Sequence, residues 1–311
     1  MADLHTPPGA PARLPIRTVT ITGAALLATA YACIWLFAPF DLSQLGMFWP
    51  FGGLGLAGAL VANSTGVGGG VVFVPAFSLL RESGAMDLSP AQAVGISFAI
   101  QCFGMSVGSL TWLNRFYRPE AAGGDALLRP LLWRILALVL ATGLPALLVM
   151  QHVIAVDADI AFLLFKLFSI ALGSALLLQL ALSRYVGGDR TVLDRIDLVA
   201  ILGIGIAGGS ATAMFSVGTG ELLALYLFLR RFPLDICVAT AVIASAISVL
   251  TGLGLHLQAG YLVWEILIFA APAVMLGGFL ARRLAHWLGA FRLKLATGIW
   301  IISSSAILLL T

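Results

Sequence analysis

The sequence predicts an all-α polytopic membrane protein. It has two inverted-topology repeats, each opening with a glycine-broken pair of half-helices, and an extra N-terminal helix. Three observations predict this. The 311 residues are 60% hydrophobic and only 10% charged, where a soluble domain carries about 25% charged residues. The apolar residues gather into continuous segments of crossing length. Finally, Gly66-Val67-Gly68-Gly69-Gly70 interrupts one long apolar stretch and returns in another as Ser216-Val217-Gly218-Thr219-Gly220; each copy runs on through apolar residues to an arginine, Arg81 or Arg231.

Length and charge bound the rest. At about 20 residues per crossing, roughly seven to ten membrane segments fit, with no room for a sizeable soluble domain. A net charge of +3, carried by a few loop arginines, is no nucleic-acid surface. The expected partners are the lipid bilayer and a small anionic substrate, and a homo-oligomer is compatible with the sequence. Cys33, Cys102 and Cys237 are odd in number, lie in apolar segments and show no C-x-x-C spacing. They read as packing residues, and neither a metal nor a cofactor is expected.

Taken in order, residues 1–17 form a cytoplasmic tail with Arg13 and Arg17, and 18–46 hold the first transmembrane helix and a loop. The run from Thr18 to Phe40 outlasts a signal h-region of about 7–15 residues. It also continues through Trp35-Leu36-Phe37, past the cleavage-like Ala30-Tyr31-Ala32, so it reads as a retained helix. Repeat 1, residues 47–183, holds the broken stretch 47–80 and spans at 91–114, 130–150 and 160–183. A cytoplasmic linker follows at 184–195. Repeat 2, residues 196–311, holds the broken stretch 196–230 and spans at 234–257, 262–281 and 293–310. Each broken stretch is too long for one straight crossing of a core about 30 Å thick, and glycine divides it into halves of roughly 15 residues. Re-entrant pairs and two short tilted crossings both fit.

Arginine placement chooses the topology. The basic loops are the tail, 115–134 (Arg115, Arg118, Arg129, Arg134), 184–195 (Arg184, Arg190, Arg195), Arg230-Arg231, and 282–294 (Arg282, Arg283, Arg292, Lys294); loops 41–46, 151–159 and 258–261 hold no Lys or Arg. If each broken stretch returns to its starting side, every strongly basic loop is cytoplasmic, as the positive-inside rule requires. Only Arg81, beside Glu82, is then misplaced. The first broken stretch begins outside and the second inside, so the halves are inverted repeats. A common offset pairs Val94 with Val238 and Gly108 with Gly252.

Non-helical backbone at membrane depth is tolerated only where protein buries it or it lines a water-filled cavity. A half-helix opening at such a break presents unpartnered N–H groups and the positive end of its dipole, which favours an anion. Gly66, Gly68, Gly69 and Gly70 would let a ligand approach the first break, and Gly218 and Gly220 the second. Ser64, Thr65, Ser216 and Thr219 add hydroxyls, while Asn63, Gln101, Ser245 and Ser248 can complete the pocket. Each polar residue has a plainer reading as a helix–helix hydrogen bond, and the glycines one as close packing. Glu221 follows the second cluster, either as a cap stabilised by the dipole or as a carrier of a coupled proton. Lys166 reads as snorkelling, and His256 and Glu265 as interfacial.

At these residues the chain resembles the sulfite exporter TauE/SafE family of membrane transporters. The likeness rests on Gly66-Val-Gly-Gly-Gly with Val74-Pro75, Ala93-Val94-Gly95, Ser216-Val-Gly-Thr-Gly-Glu221 and Val238-Ala239-Thr240. Gly260-Tyr261 with Trp264-Glu265, and Gly277-Gly278 with Ala281-Arg282, extend it to about 47–310. Thr219 departs from the glycine triplet, and Leu225 stands where the first repeat has Pro75. The resemblance implies movement of small sulfur-containing anions. The expected function is therefore secondary transport of sulfite or an organosulfonate across a bacterial cytoplasmic membrane by alternating access. A passive anion channel is the alternative. A membrane-embedded enzyme fits less well, because H-E-x-x-H is missing from the sequence; a nucleotide-binding G-x-x-x-x-G-K-[ST] is missing too, which speaks against ATP coupling.

Overall fold

Apolar runs punctuated by proline and glycine become helices from end to end. The computed structural model describes residues 16–117, 127–153, 158–182 and 188–310. Arg13, Arg118, Arg184 and Thr311 lie outside the described residues. The helices are α1 (Ile16–Phe37), α2 (Pro50–Thr65), α3 (Gly70–Glu82), α4 (Pro90–Tyr117), α5 (Arg129–His152), α6 (Ala158–Leu182), α7 (Arg195–Phe215), α8 (Thr219–Leu229), α9 (Leu234–Gln258) and α10 (Trp264–Leu310). No strand occurs among the described residues. Six helices or helix segments there are long and apolar enough to cross a membrane. The protein is a multi-pass membrane protein.

Two expectations about these elements are corrected. The second broken stretch does not divide evenly, because α7 has 21 residues and α8 only 11; α7 is itself of crossing length. Gly205, Gly208 and Gly209 do not break α7. Gly205 and Gly209 bring it against α5, where a side chain on Gly209 would collide with the Gly143 carbonyl and Thr142 donates to the Leu202 carbonyl at 2.8 Å, while Gly208 packs on Thr219 at the start of α8. Small residues used this way hold helices together in lipid. The loop expected at 282–294 is helical, part of a 47-residue α10. Its residues are mostly strong helix formers without proline, so nothing stops the helix there.

Helix pairing is reciprocal between the halves. Helix α2 packs chiefly on α10, and α7 chiefly on α5. Both pairs run parallel: Gly52 meets Phe269 and Gly277 meets Ala59, while Thr142 meets Leu202 and Gly143 meets Gly209. The two most buried spans, α4 and α9, pack side by side and antiparallel. Phe98 stacks on His256 at 4.6 Å, and Ser109, further along α4, lies 3.3 Å from the Val242 carbonyl, near the opposite end of α9. Helix α1 buries only Ile34 and is tied to α10 by the Tyr31 hydroxyl, which donates to the Ile268 carbonyl at 2.8 Å.

A charged network closes one end. Asp197 is fully buried and takes Arg190 at 2.6 Å, Arg230 at 2.9 Å and the Tyr226 hydroxyl at 2.7 Å. Asp194 caps α7 by accepting from the Asp197 backbone N–H at 2.8 Å, and it also binds Arg190 and Arg230. At the same end Arg115 pairs with Asp235 at 2.5 Å, joining α4 to α9.

Candidate functional site

Each break has a physical cause. Helix α2 ends where Gly66 turns left-handed (φ 75°), its N–H bonded to the Ala62 carbonyl at 3.1 Å. Helix α7 ends in the same way at Ser216 (φ 61°), bonded to Thr212 at 2.8 Å. That conformation costs a non-glycine residue about 1–2 kcal/mol. Gln101 holds Ser216 there, its Nε2 donating to the Ser216 hydroxyl at 2.6 Å and the Ser216 carbonyl at 3.1 Å. Gly218 (φ 155°, ψ −61°) occupies backbone space that only glycine enters comfortably.

The two breaks meet. A side chain on Gly70 would collide with the carbonyl of Ser216, and one on Gly66 would press on Val238 and Ala241 of α9. Gln101, on α4 in the same half as the first break, braces the second. Glu221, on the helix after the second, braces the first. Its carboxylate accepts the Gly218 N–H at 2.8 Å and lies beside Gly68 of the first break. A side chain on Gly68 would strike the same carboxylate. Glu221 is buried, with its carboxyl group placed at the N-terminal ends of α3 and α8, whose dipoles favour negative charge.

The remaining expected residues divide into two groups. Ser245 is at the site: its hydroxyl points at Gly220, is buried, and has no hydrogen-bond partner. Gly69 packs against Phe73 and Gln101. By contrast, Ser64 and Thr65 turn their hydroxyls back to the Val61 carbonyl at 3.1 and 2.9 Å. The Thr219 hydroxyl lies 3.0 Å from that of Thr212. Asn63 sits on the face of α2 toward α4, its Nδ2 on the Ala59 carbonyl at 3.0 Å and its Oδ1 against Gly108, away from the breaks. Ser248 is buried one turn beyond Ser245 and has no partner.

Three features were not read from the sequence. Thr212 accepts the Thr219 N–H at 3.0 Å, capping α8. Ser97, one turn before Gln101, lies 3.2 Å from the Ser216 hydroxyl; its place on the Gln101 face of α4 was the available signal. His256, expected at the interface, is instead buried between α4 and α9 beside Phe98 and Tyr261. Proximity to the 258–261 loop suggested exposure, whereas the stripe Ser245, Ser248, Gly252, His256 places it on the inner face of α9. Glu265 does lie at the surface, accepting the Asp41 N–H at 3.1 Å.

Taken together, the geometry sets the Glu221 carboxyl group on the Gly218 N–H of one break and against Gly68 of the other. Comparison with known families gives a match to the family model described as Sulfite exporter TauE/SafE, over residues 51–308. Neither the curated proteins nor the solved structures give a match.

Proposed function

This chain belongs to the sulfite exporter TauE/SafE family, and from that premise we propose that it is a secondary transporter of sulfite or a small organosulfonate. It works by alternating access in a bacterial cytoplasmic membrane. The observation that carries the reading is the carboxylate of Glu221 on the Gly218 amide, lying against Gly68 of the other break. A place that holds one anionic oxygen between two helix N-termini suits another. The substrate's oxygens take these donors when Glu221 gives them up, either by swinging away or by accepting a proton. Two anions on one buried set of donors repel strongly at low dielectric, so occupancy by substrate and by carboxylate is mutually exclusive. That exclusion supplies a route to proton coupling.

The inverted-repeat reading draws support from α4 and α9, corresponding helices that pack antiparallel, and from the reciprocal pairing of α2 with α10 and α7 with α5. Gly66 and Ser216 end their helices in the same left-handed conformation. Breaks paired in this way are where inverted-repeat transporters bind their substrates. Uptake of labelled sulfite and a panel of organosulfonates into proteoliposomes tests the reading. Accumulation against a gradient is expected, while purely downhill flux would instead favour the channel.

A further inference from the structure

Helix α9 is built of two unlike halves. From Leu234 to Ala244 its buried side chains are apolar, Cys237, Val238 and Ala241 among them, packed in one hydrophobic cluster. The Thr240 hydroxyl in that half is satisfied by the Ile236 carbonyl at 2.7 Å. From Ser245 onward the pattern changes. Ser245, Ser248, Gly252 and His256 recur at helical spacing on one face. Ser245 Oγ, Ser248 Oγ and both ring nitrogens of His256 are buried without a hydrogen-bond partner. Across from them Gln151 of α5 sets Nε2 on the Gly252 carbonyl at 3.2 Å and leaves Oε1 unpartnered. A side chain on Gly252 would strike Phe98 and come close to Gln151 Nε2, so α4, α5 and α9 converge on this line.

Buried polar groups are nearly always satisfied by protein or by water, so a row of exceptions needs an explanation. The row starts at the Gly220 end of the break, where Ser245 points. It ends at His256, beside the 258–261 turn. Eleven steps at 1.5 Å per residue span about 16 Å, roughly half of a bilayer core about 30 Å thick. Resting on the transport reading above, we propose that this face of α9, with Gln151, lines a hydrated half-path from the paired breaks to the 258–261 end of the molecule. Water and the oxyanion supply the missing partners. The apolar half of α9, with the Asp197 network beyond it, seals the opposite end in this conformation.

The test uses the full-length protein with Cys33, Cys102 and Cys237 each replaced by Ala, reconstituted in liposomes. Single Ser245→Cys, Ser248→Cys and Ala241→Cys variants are exposed to the membrane-impermeant anion 2-sulfonatoethyl methanethiosulfonate from each side. Thiol reactivity follows access and thiolate character, so the two serine positions should react at least about ten-fold faster than position 241. The reaction should come from the face that carries the 258–261 turn. Equal, slow reaction at all three positions overturns the path. Radiolytic hydroxyl footprinting of the unmodified protein needs no variant: relative to intrinsic side-chain reactivity, His256 should oxidise faster than Met105, which is buried among apolar side chains, and the reverse order also overturns it. Labelling at Ser245→Cys and Ser248→Cys in a protein that moves no sulfur oxyanion would uphold the path while removing the transport reading.

Discussion

The side-chain carboxylate of Glu221, beside the second break, lies directly against Gly68 of the first. With Gln101 bonded in the reverse direction to Ser216, the two halves of the molecule are cross-braced at the point where both chains leave the helix. Motion of one half against the other must exchange these bonds.

Replacing Glu221 with Gln removes the charge and leaves a side chain of nearly the same shape. If Glu221 carries the coupled proton, Glu221→Gln abolishes accumulation driven by a pH gradient while substrate exchange stays within a few-fold of wild type. Exchange needs the anion site and the conformational cycle but no net proton movement. A variant that still accumulates substrate under a pH gradient would show Glu221 to be a cap alone.

Neighbouring glycines should respond differently. A methyl on Gly70 meets the Ser216 carbonyl, which is backbone and cannot turn aside. Gly70→Ala should therefore lower stability by about 1–3 kcal/mol, as overpacking does. A methyl on Gly68 meets the end of the Glu221 side chain, which can move. Gly68→Ala should unfold near the wild-type temperature in detergent. Equal thermal shifts for the two variants would contradict this geometry.

Much of the fold was legible because the bilayer leaves few options. A glycine cluster in a long apolar run has to be a break, and doubling it marked both halves. What escaped was tertiary. Gly205, Gly208 and Gly209 resemble helix breakers until α5 and the start of α8 are present to pack against them. The basic residues of 282–294 suggested a loop, yet nothing in that sequence terminates a helix. Asp197 could be counted as a charge, but its partners come from the linker and the end of α8. At the site, the glycines, Gln101 and Glu221 were visible. That Glu221 reaches the opposite break was not, because a cap and a cross-brace look alike in one dimension.

The Asp197 network should carry stability at the end that closes the molecule. Removing one partner of a buried charge cluster typically costs about 3–5 kcal/mol, so Asp197→Ala should show a large drop in thermal stability in detergent. The Asp194 carboxyl is held below its ordinary value, first by the Asp197 backbone N–H and then by Arg190. A depressed carboxyl stabilises fully above its unfolded pKa, about 3.9. It loses that contribution as pH falls through the folded value. Melting temperature should thus decline on the acid side below about pH 4, and Asp194→Asn should flatten the decline. An unchanged acid limb in that variant would exclude Asp194 as its source.

Orientation follows from the arginines. With 115–134, 184–195 and Arg230-Arg231 held in the cytoplasm, and the apolar segments 264–284 and 295–308 of α10 crossing in opposite directions, the N-terminus should lie inside and Thr311 outside. Reporter fusions at the two ends decide this, and both ends on one side would refute the topology.

The central claim is that the paired breaks bind the transported anion on donors Glu221 otherwise occupies. Counterflow of labelled sulfite in proteoliposomes holding equal amounts of wild type and Gly68→Ala tests it most directly. Saturable exchange is expected in wild type. Loss by at least about ten-fold is expected in the variant, since its methyl group fills the space beside the Gly68 backbone that a bound anion must enter. Equal exchange in both proteins, or none in wild type with sulfite or any organosulfonate, would contradict the account.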